Sequence, residues 1–218
     1  MNTPCVRPLH HVLPLAHASG FPGSPGSLAP LAAESSLDAA EPGQQLYSKQ
    51  PLRCGNQALV RQAQAQDVLQ TPAFLRALSL RSQRRRFHGR LPALGAAALH
   101  STQALTDPKH GVLVAVLNTG DHEQLLADAR FVCDAGGREA EFALVVADPL
   151  HRQGLGRALL LALQQLAAER GVRWLRGEVQ VDNPAMLCLL LSLGFKPALC
   201  DEAAGLMVFE QRLHAWVS

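Results

Sequence analysis

Between Glu139 and Ala147 the chain alternates, with Glu141, Ala143 and Val145 on one face and Phe142, Leu144 and Val146 on the other, and a period of two predicts a strand. The period changes after Asp148-Pro149. From Gly156 onward, Leu159, Ala162, Leu163, Leu166 and Ala167 fall on one face of a helix, with Gly171 placed to end it as a C′ glycine. Residues 172–181 predict a strand. Asn183 as N-cap and Pro184 in the first turn open another helix, closed by Gly194, and Leu206 to Arg212 supply a last strand. Upstream, 111–117 and 124–133 predict two strands around the turn Asn118-Thr119-Gly120-Asp121, and Gly136-Gly137 turns the chain into the 139–147 strand. Residues 92–106 predict a short helix. Before it, Asp67 is placed to cap a helix carrying Val68, Phe74, Leu75 and Leu78, with a break and restart expected at Thr71-Pro72. Hairpins interleaved with helices predict a mixed α/β sheet.

Composition divides the chain unevenly. Half of the 14 prolines lie in residues 1–50, where Gly20-Phe21-Pro22-Gly23-Ser24-Pro25-Gly26-Ser27 has too little apolar area to offset its ordering entropy. Residues 1–55 are therefore expected to form a disordered or poorly structured tail, of which 1–50 are dispensable for chemistry, and 56–218 a single domain. Arg7 alone precedes the short apolar patch 11–16, so a cleaved signal is not expected. The net charge of +2 makes no case for nucleic acid or an anionic membrane. No apolar run reaches the roughly 18 residues of a membrane helix. Five scattered cysteines, Cys5, Cys54, Cys133, Cys188 and Cys200, suit free thiols in a reducing cytoplasm. Nine histidines without ligand spacing give no metal site.

The run from Asp148 to Leu160 places a glycine-bearing turn between a strand and a helix N-terminus, the arrangement that cradles anions. The first N–H groups of a helix have no intrahelical partner, and Gly154 and Gly156 remove the Cβ atoms that would keep a ligand off the backbone. The expected ligand is a diphosphate. The run lacks the lysine and Ser/Thr of a P-loop, and its glycines do not fit G-x-G-x-x-G.

Gln153-Gly154-Leu155-Gly156-Arg157-Ala158 resembles the pyrophosphate loop of the GNAT acetyltransferases. In chain order, Ala140-Glu141-Phe142-Ala143, that loop, Gly177-Glu178-Val179, Asn183-Pro184-Ala185-Met186 and Leu193-Gly194-Phe195 are together similar to the GNAT module of bacterial protein lysine acetyltransferases of the Pat type. Phe74, Leu78-Ser79 and Arg84-Arg85-Arg86-Phe87-His88-Gly89 resemble the start of that module, so the likeness covers roughly 56–214. It implies a GNAT fold with a mixed, mostly antiparallel central sheet flanked by helices, and acetyl-CoA as co-substrate without a metal. By the same resemblance, backbone groups near Leu144, Val145 and Val146 pair with the pantetheine arm. His151, Arg152, Gln153, Gly154, Leu155, Gly156, Arg157 and Ala158 hold the diphosphate, and Asn183 contacts the CoA arm besides acting as N-cap. His151 stands where the family has glutamine or arginine, and Arg152 where glycine is frequent.

Transfer of an acetyl group to an amine needs a base, because a lysine ammonium with a pKa near 10.4 must lose a proton before it attacks. Glu141 occupies the position resembling the family's general base and is otherwise an ordinary solvent-facing glutamate at a strand end; Glu178 is the second candidate and otherwise positions the base or pairs with Arg176. Leu190 stands where many relatives carry a tyrosine acid, and the only tyrosine, Tyr47, lies in the expected tail. Cys188 is expected to be a small buried hydrophobe rather than a nucleophile. The basic cluster Arg81, Arg84, Arg85, Arg86 and Arg90 is expected to be a solvated helix end, with substrate or phosphate binding as the alternative. The acceptor is expected to be a protein lysine; a small amine, or a non-catalytic acyl-CoA sensor, is the alternative. Homodimerisation stays open.

Overall fold

The computed structural model describes residues 45–88, 102–120, 122–201 and 203–214. Eight strands form one sheet in the order β1-β2-β3-β4-β5-β6-β8-β7. They are β1 (Leu46–Pro51), β2 (Gln57–Gln62), β3 (His110–Asn118), β4 (Glu123–Cys133), β5 (Glu139–Val146), β6 (Trp174–Gln180), β7 (Lys196–Asp201) and β8 (Leu206–Arg212). Every neighbouring pair is antiparallel except β5–β6. The mixed, mostly antiparallel sheet flanked by helices is the expected one.

The helices are α1 (Ala65–Ala77), α2 (Leu80–Phe87), α3 (Gln103–Thr106), α4 (Leu155–Glu169) and α5 (Pro184–Ser192). Phe74 and Leu78 at the end of α1 pack with Val114, Val116, Leu125 and Val145, so α1 covers the face of β5 that carries its odd-numbered side chains. Helix α4 covers the other face: Leu144 and Val146 approach Gly156, and Leu155, Leu159, Leu160 and Leu163 are buried. Each such buried leucine contributes about 1.5–3 kcal/mol. The signals that end or begin these helices act as expected. Gly171 and Gly194 have φ of +83° and +85°, and the Asn183 side chain accepts the Met186 N–H.

Several elements differ from expectation. Helix α1 does not break at Thr71-Pro72. Asp67 is its N3 residue rather than its cap, closing a box with Gln64, and a bidentate contact with the buried Arg61 holds it in place. Thr71 Oγ1 donates to the Asp67 carbonyl, one of several contacts that keep the turn before Pro72 intact. Of the expected 92–106 helix, residues 103–106 are helical and 89–101 lie outside the described residues. Strands β1, β2 and β7 were not expected. Strand β1 places Tyr47, which accepts a hydrogen bond from Gln62 at 3.4 Å, inside the sheet rather than in the tail. The sheet thus begins at Leu46, upstream of the expected boundary at 55/56.

Candidate active site

Strands β5 and β6 pair only at Glu139↔Trp174, Ala140↔Leu175 and Glu141↔Arg176. Beyond that point β5 continues to Val146 beside β4, and β6 to Gln180 beside β8, so the two strands part. Two aromatic rings and a glycine meet where the strands part. Phe142 follows the last pair on β5 and lies over Gly177, where an added Cβ would sit 2.5 Å from the ring's Cζ. The same ring packs on Phe195, with centroids 5.4 Å apart and planes tilted by 55°. A buried ring at the fork, accommodated by a residue without a side chain, acts as a wedge.

The parted edge leaves backbone polar groups without ladder partners. Ala147 N–H donates to Leu126 O on β4, so with strand alternation the groups of Val145 also point to β4, and those of Leu144 and Val146 point into the fork. The Val146 carbonyl accepts from His151 Nε2 at 2.9 Å, which fixes the proton on that ring nitrogen because a carbonyl only accepts. Leu144 presents its N–H and C=O to the opening.

Glu141 sits at the fork on the α1–α2 face and is solvent-exposed. Partial burial of its carboxyl nevertheless pushes the pKa above the ordinary glutamate range; the like charge of Glu178 adds to this, and Arg86 opposes it. Glu178 is exposed on β6, two residues beyond the last pair. Arg176 lies between Glu139 and Glu210, at 2.5 and 3.1 Å, and not against Glu178. Arg86 comes from α2, stacked 5.1 Å over Phe87, and burial lowers its pKa. Asp128 and Arg130, paired at 2.5 Å, lie buried on the same sheet face.

The expected basic cluster divides by helix face. Arg86 faces the sheet, whereas Arg81, Arg84 and Arg85 line a cavity of about 430 Å³ with Leu80, Gln180 and Asp182. Arg85 binds the Asp182 carbonyl, and Arg90 lies outside the described residues.

On the far side of β5 the 3₁₀ turn Asp148–Leu150 leads into the loop and α4. The first backbone bond of α4 runs from Ala158 N–H to Gly154 O at 3.0 Å. The N–H groups of Leu155, Gly156 and Arg157 therefore have no intrahelical partner. Gly154 needs its φ of +89°, and a Cβ there would meet Gln50 Nε2 at 2.8 Å. Gly156 has a different reason: an added Cβ would make ordinary contacts with Leu189 and Leu144, so what it preserves is space in front of the backbone. Arg152 adopts φ +63°, the left-handed region, which gives a physical reason for glycine at such a position. Arg157 donates to Ser192 Oγ at 3.1 Å, and Leu155 is buried. A cavity of about 930 Å³ opens along α4 beside Gly154 and Arg157, on the side opposite Glu141.

Two residues that sequence reasoning passed over complete the surroundings. Asp148 accepts from Ser79 N–H, Ser79 Oγ and Ser82 Oγ at 2.9, 2.7 and 2.7 Å, tying α2 to the loop. Arg53, in the β1–β2 turn, reaches Gln153 and Arg152. Two other positions differ in character from what a catalytic acid or a core thiol would show. Leu190 is fully buried, and Cys188 is exposed rather than buried. Among the described residues no group of three His, Cys, Asp or Glu side chains is placed to hold a metal ion, and no helix is long and apolar enough to cross a membrane.

A forked sheet with an anion cradle on one side and a carboxylate on the other is the arrangement of an acetyltransferase. The chain belongs to the GNAT acetyltransferase family, whose model matches residues 73–195. Among solved structures it resembles the GNAT domain of S. lividans PAT, with 26% identity, a TM-score of 0.62, and coverage of 76% of this chain and 96% of that one. It shares a fold with yncA from Salmonella typhimurium, solved with its cofactor acetyl-CoA, at 18% identity and a TM-score of 0.55 over 74% of this chain and 96% of that one. A curated relative, the mycothiol acetyltransferase of Geodermatophilus obscurus, is 43% identical over 65 residues, which is 29% of this chain and 21% of that protein. The chain thus matches about a fifth of that relative's length.

Proposed function

We propose that the protein transfers the acetyl group of acetyl-CoA to the side-chain amine of a protein lysine, with Glu141 as general base. The observation that carries this reading is the fork itself. It opens at Glu141↔Arg176, so the last paired residue of β5 is the carboxylate and the first unpaired backbone groups follow it directly. A thioester arm lying along Leu144 and Val146 would end beside Glu141, and its diphosphate would meet the unpartnered N–H groups from Gly154 to Arg157. The residues present fit that ligand. The backbone donors have no intrahelical partner, Gly154 and Gly156 leave the approach open, and Arg152 and Arg157 belong to the loop and first turn that would receive the anion. Asn183 holds the start of α5 in place.

On the other face, Glu141 accepts the proton that the incoming ammonium must lose, directly or through one water. A carboxyl whose pKa is raised by partial burial and by Glu178 is a stronger base than an ordinary glutamate. The thiol of CoA is a tolerable leaving group with a pKa near 8.5, so solvent can reprotonate it; the buried Leu190 offers no acid. The likeness to the PAT domain supports a protein lysine as acceptor. The local likeness to mycothiol acetyltransferase supports a small amine as the second reading.

The test is acetyl transfer to a panel of purified proteins and small amines, with mass mapping of the product. Glu141→Gln keeps the shape of the site and the CoA affinity but should lower turnover by roughly 10²–10⁴-fold at neutral pH, with partial recovery as the pH rises and the amine becomes neutral unaided. Equal turnover in the variant would move the base to another group, Glu178 first. Absence of transfer to any amine, with CoA still bound, would favour the sensor.

A further inference from the structure

The cradle is held from outside by a strand and turn that no sequence motif marks. Three hydrogen bonds join them. Gln50 Nε2 on β1 donates to Gln153 O at 3.3 Å, Arg53 Nη2 donates to Arg152 O at 3.4 Å, and Arg53 N–H donates to Gln153 Oε1 at 3.0 Å. The Gln153 side chain is fixed at its other end as well, donating to Pro149 O at 3.1 Å. Two of the three bonds grip main-chain carbonyls of the loop itself.

In a trans peptide unit the C=O and the following N–H point in opposite directions. Holding Arg152 O therefore aims the N–H of Gln153 away from the β1–β2 turn, and holding Gln153 O does the same for the N–H of Gly154. These are the two donors that come just before the free N–H groups of α4. The left-handed conformation of Arg152 and the positive φ of Gly154 bracket the same two peptide units, so the loop adopts a shape that its own preferences do not favour at Arg152.

We infer that Gln50 and Arg53 are positioning residues for the binding of a diphosphate, acting through the peptide planes 152–153 and 153–154. This rests on the reading of the loop as the acetyl-CoA cradle. Strand β1 and its turn are then part of the ligand-binding machinery although they lie in the stretch whose composition suggests a tail.

The test is calorimetric titration of the full chain and of Gln50→Ala, Arg53→Ala and the double variant with CoA, dephospho-CoA and pantetheine. Gln50 is half-buried and Arg53 exposed, so the fold should survive, as thermal melting will show. For the double variant the dissociation constants of CoA and dephospho-CoA should rise together, by roughly 3–10-fold, as expected for the loss of two modest hydrogen bonds. That of pantetheine, which has no diphosphate, should not change. Arg53→Lys, which keeps a donor, should recover part of the loss. Unchanged CoA affinity in the double variant would overturn the inference. So would an equal loss for pantetheine, which would indicate general damage, or a loss for CoA but not dephospho-CoA, which would assign Arg53 to the 3′-phosphate instead. If the unaltered chain binds no CoA, the acetyl-CoA reading itself fails.

Discussion

Gly177→Ala tests whether the wedge shapes the fork. The new Cβ would lie 2.5 Å from Phe142 Cζ and 3.0 Å from Cδ1. Carbon atoms in contact need about 3.5–4.0 Å, so the ring must retreat by about 1 Å. It has little room, because Phe142 is 4% exposed and packed against Phe195, itself 2% exposed. Overpacking of this kind costs about 1–3 kcal/mol, which in a domain of this size lowers the melting temperature by roughly 3–10 °C. Since Phe142 is bonded to Glu141, the proposed base moves with the ring, and a displacement of this order should lower kcat/KM by about 10- to 100-fold at temperatures where the variant is folded. Gly111→Ala is the control. Its Cβ would meet Phe131 Cζ at 2.6 Å, an equivalent clash in the pair β3–β4; because Phe131 pairs with Phe142, the strain acts on the wedge only through one intervening ring, so it should destabilise as much while lowering kcat/KM of the folded enzyme less. Gly177→Ala combined with Phe142→Leu should regain part of the stability. A Gly177→Ala enzyme with unchanged melting temperature and kcat/KM, or a Gly111→Ala enzyme with the same loss of kcat/KM, would refute the wedge.

Three further outcomes follow from the same geometry. Glu178→Gln removes the like charge that raises the Glu141 pKa, so the acid limb of the pH–rate profile should move to lower pH, while Arg86→Gln removes the opposing charge and should move it to higher pH; both are read from kcat/KM against pH. Arg152→Gly relieves a left-handed conformation and should raise the melting temperature, a gain of about 1 kcal/mol by calorimetry, at the expense of a cation beside the loop. A chain starting at Gln45 should retain full stability and CoA affinity, whereas one starting at Asn56 loses β1 and its contacts with the loop, and should melt lower and bind CoA more weakly.

What could be read from the sequence was what repeats or punctuates. The alternation of β5, the apolar face of α4, and the caps Gly171, Asn183 and Gly194 each follow from a local rule, and together with the short motifs they led to the family and to Glu141 as the candidate base. Strand β1 escaped because its faces carry Leu46, Ser48 and Gln50 against Tyr47, Lys49 and Pro51, with no apolar stripe to detect. Strand β7 escaped for a related reason: it is exposed along its whole length, with Pro197 tolerated at an edge beside an irregularity in register. Pro72 misled because a proline is read locally as a stop, while α1 runs through it unbroken from a first turn whose Asp67 is held by Arg61 on β2, at 2.6 Å. The meeting of Phe142, Gly177 and Phe195 was hidden although each lies within or beside a quoted motif, since only the fold brings three distant segments onto one ring.

Asp148 shows how the two faces of the fork are kept in register. Its carboxylate takes three hydrogen bonds from Ser79 and Ser82 at the N-terminus of α2, the helix that brings Arg86 toward Glu141. Its backbone opens the turn that feeds the diphosphate loop. One side chain thus links the acceptor side to the CoA side. Partial burial works to raise its pKa, but the hydrogen bonds outweigh it and hold the carboxyl below the ordinary aspartate range. A depressed pKa in the folded state contributes stability that is present above the unfolded value and is lost as the pH falls through the folded one. Asp148→Ala should therefore cost about 1–3 kcal/mol at neutral pH, and the difference from the unaltered protein should shrink as the solution is acidified. Because α2 and the loop would be freed together, acceptor KM and CoA affinity should both weaken, whereas Ser82→Ala, which removes one bond and leaves two, should have a smaller effect of the same kind. A stability loss independent of pH between neutrality and the acid range, or a variant in which only one of the two substrates binds more weakly, would show that Asp148 does not couple the faces.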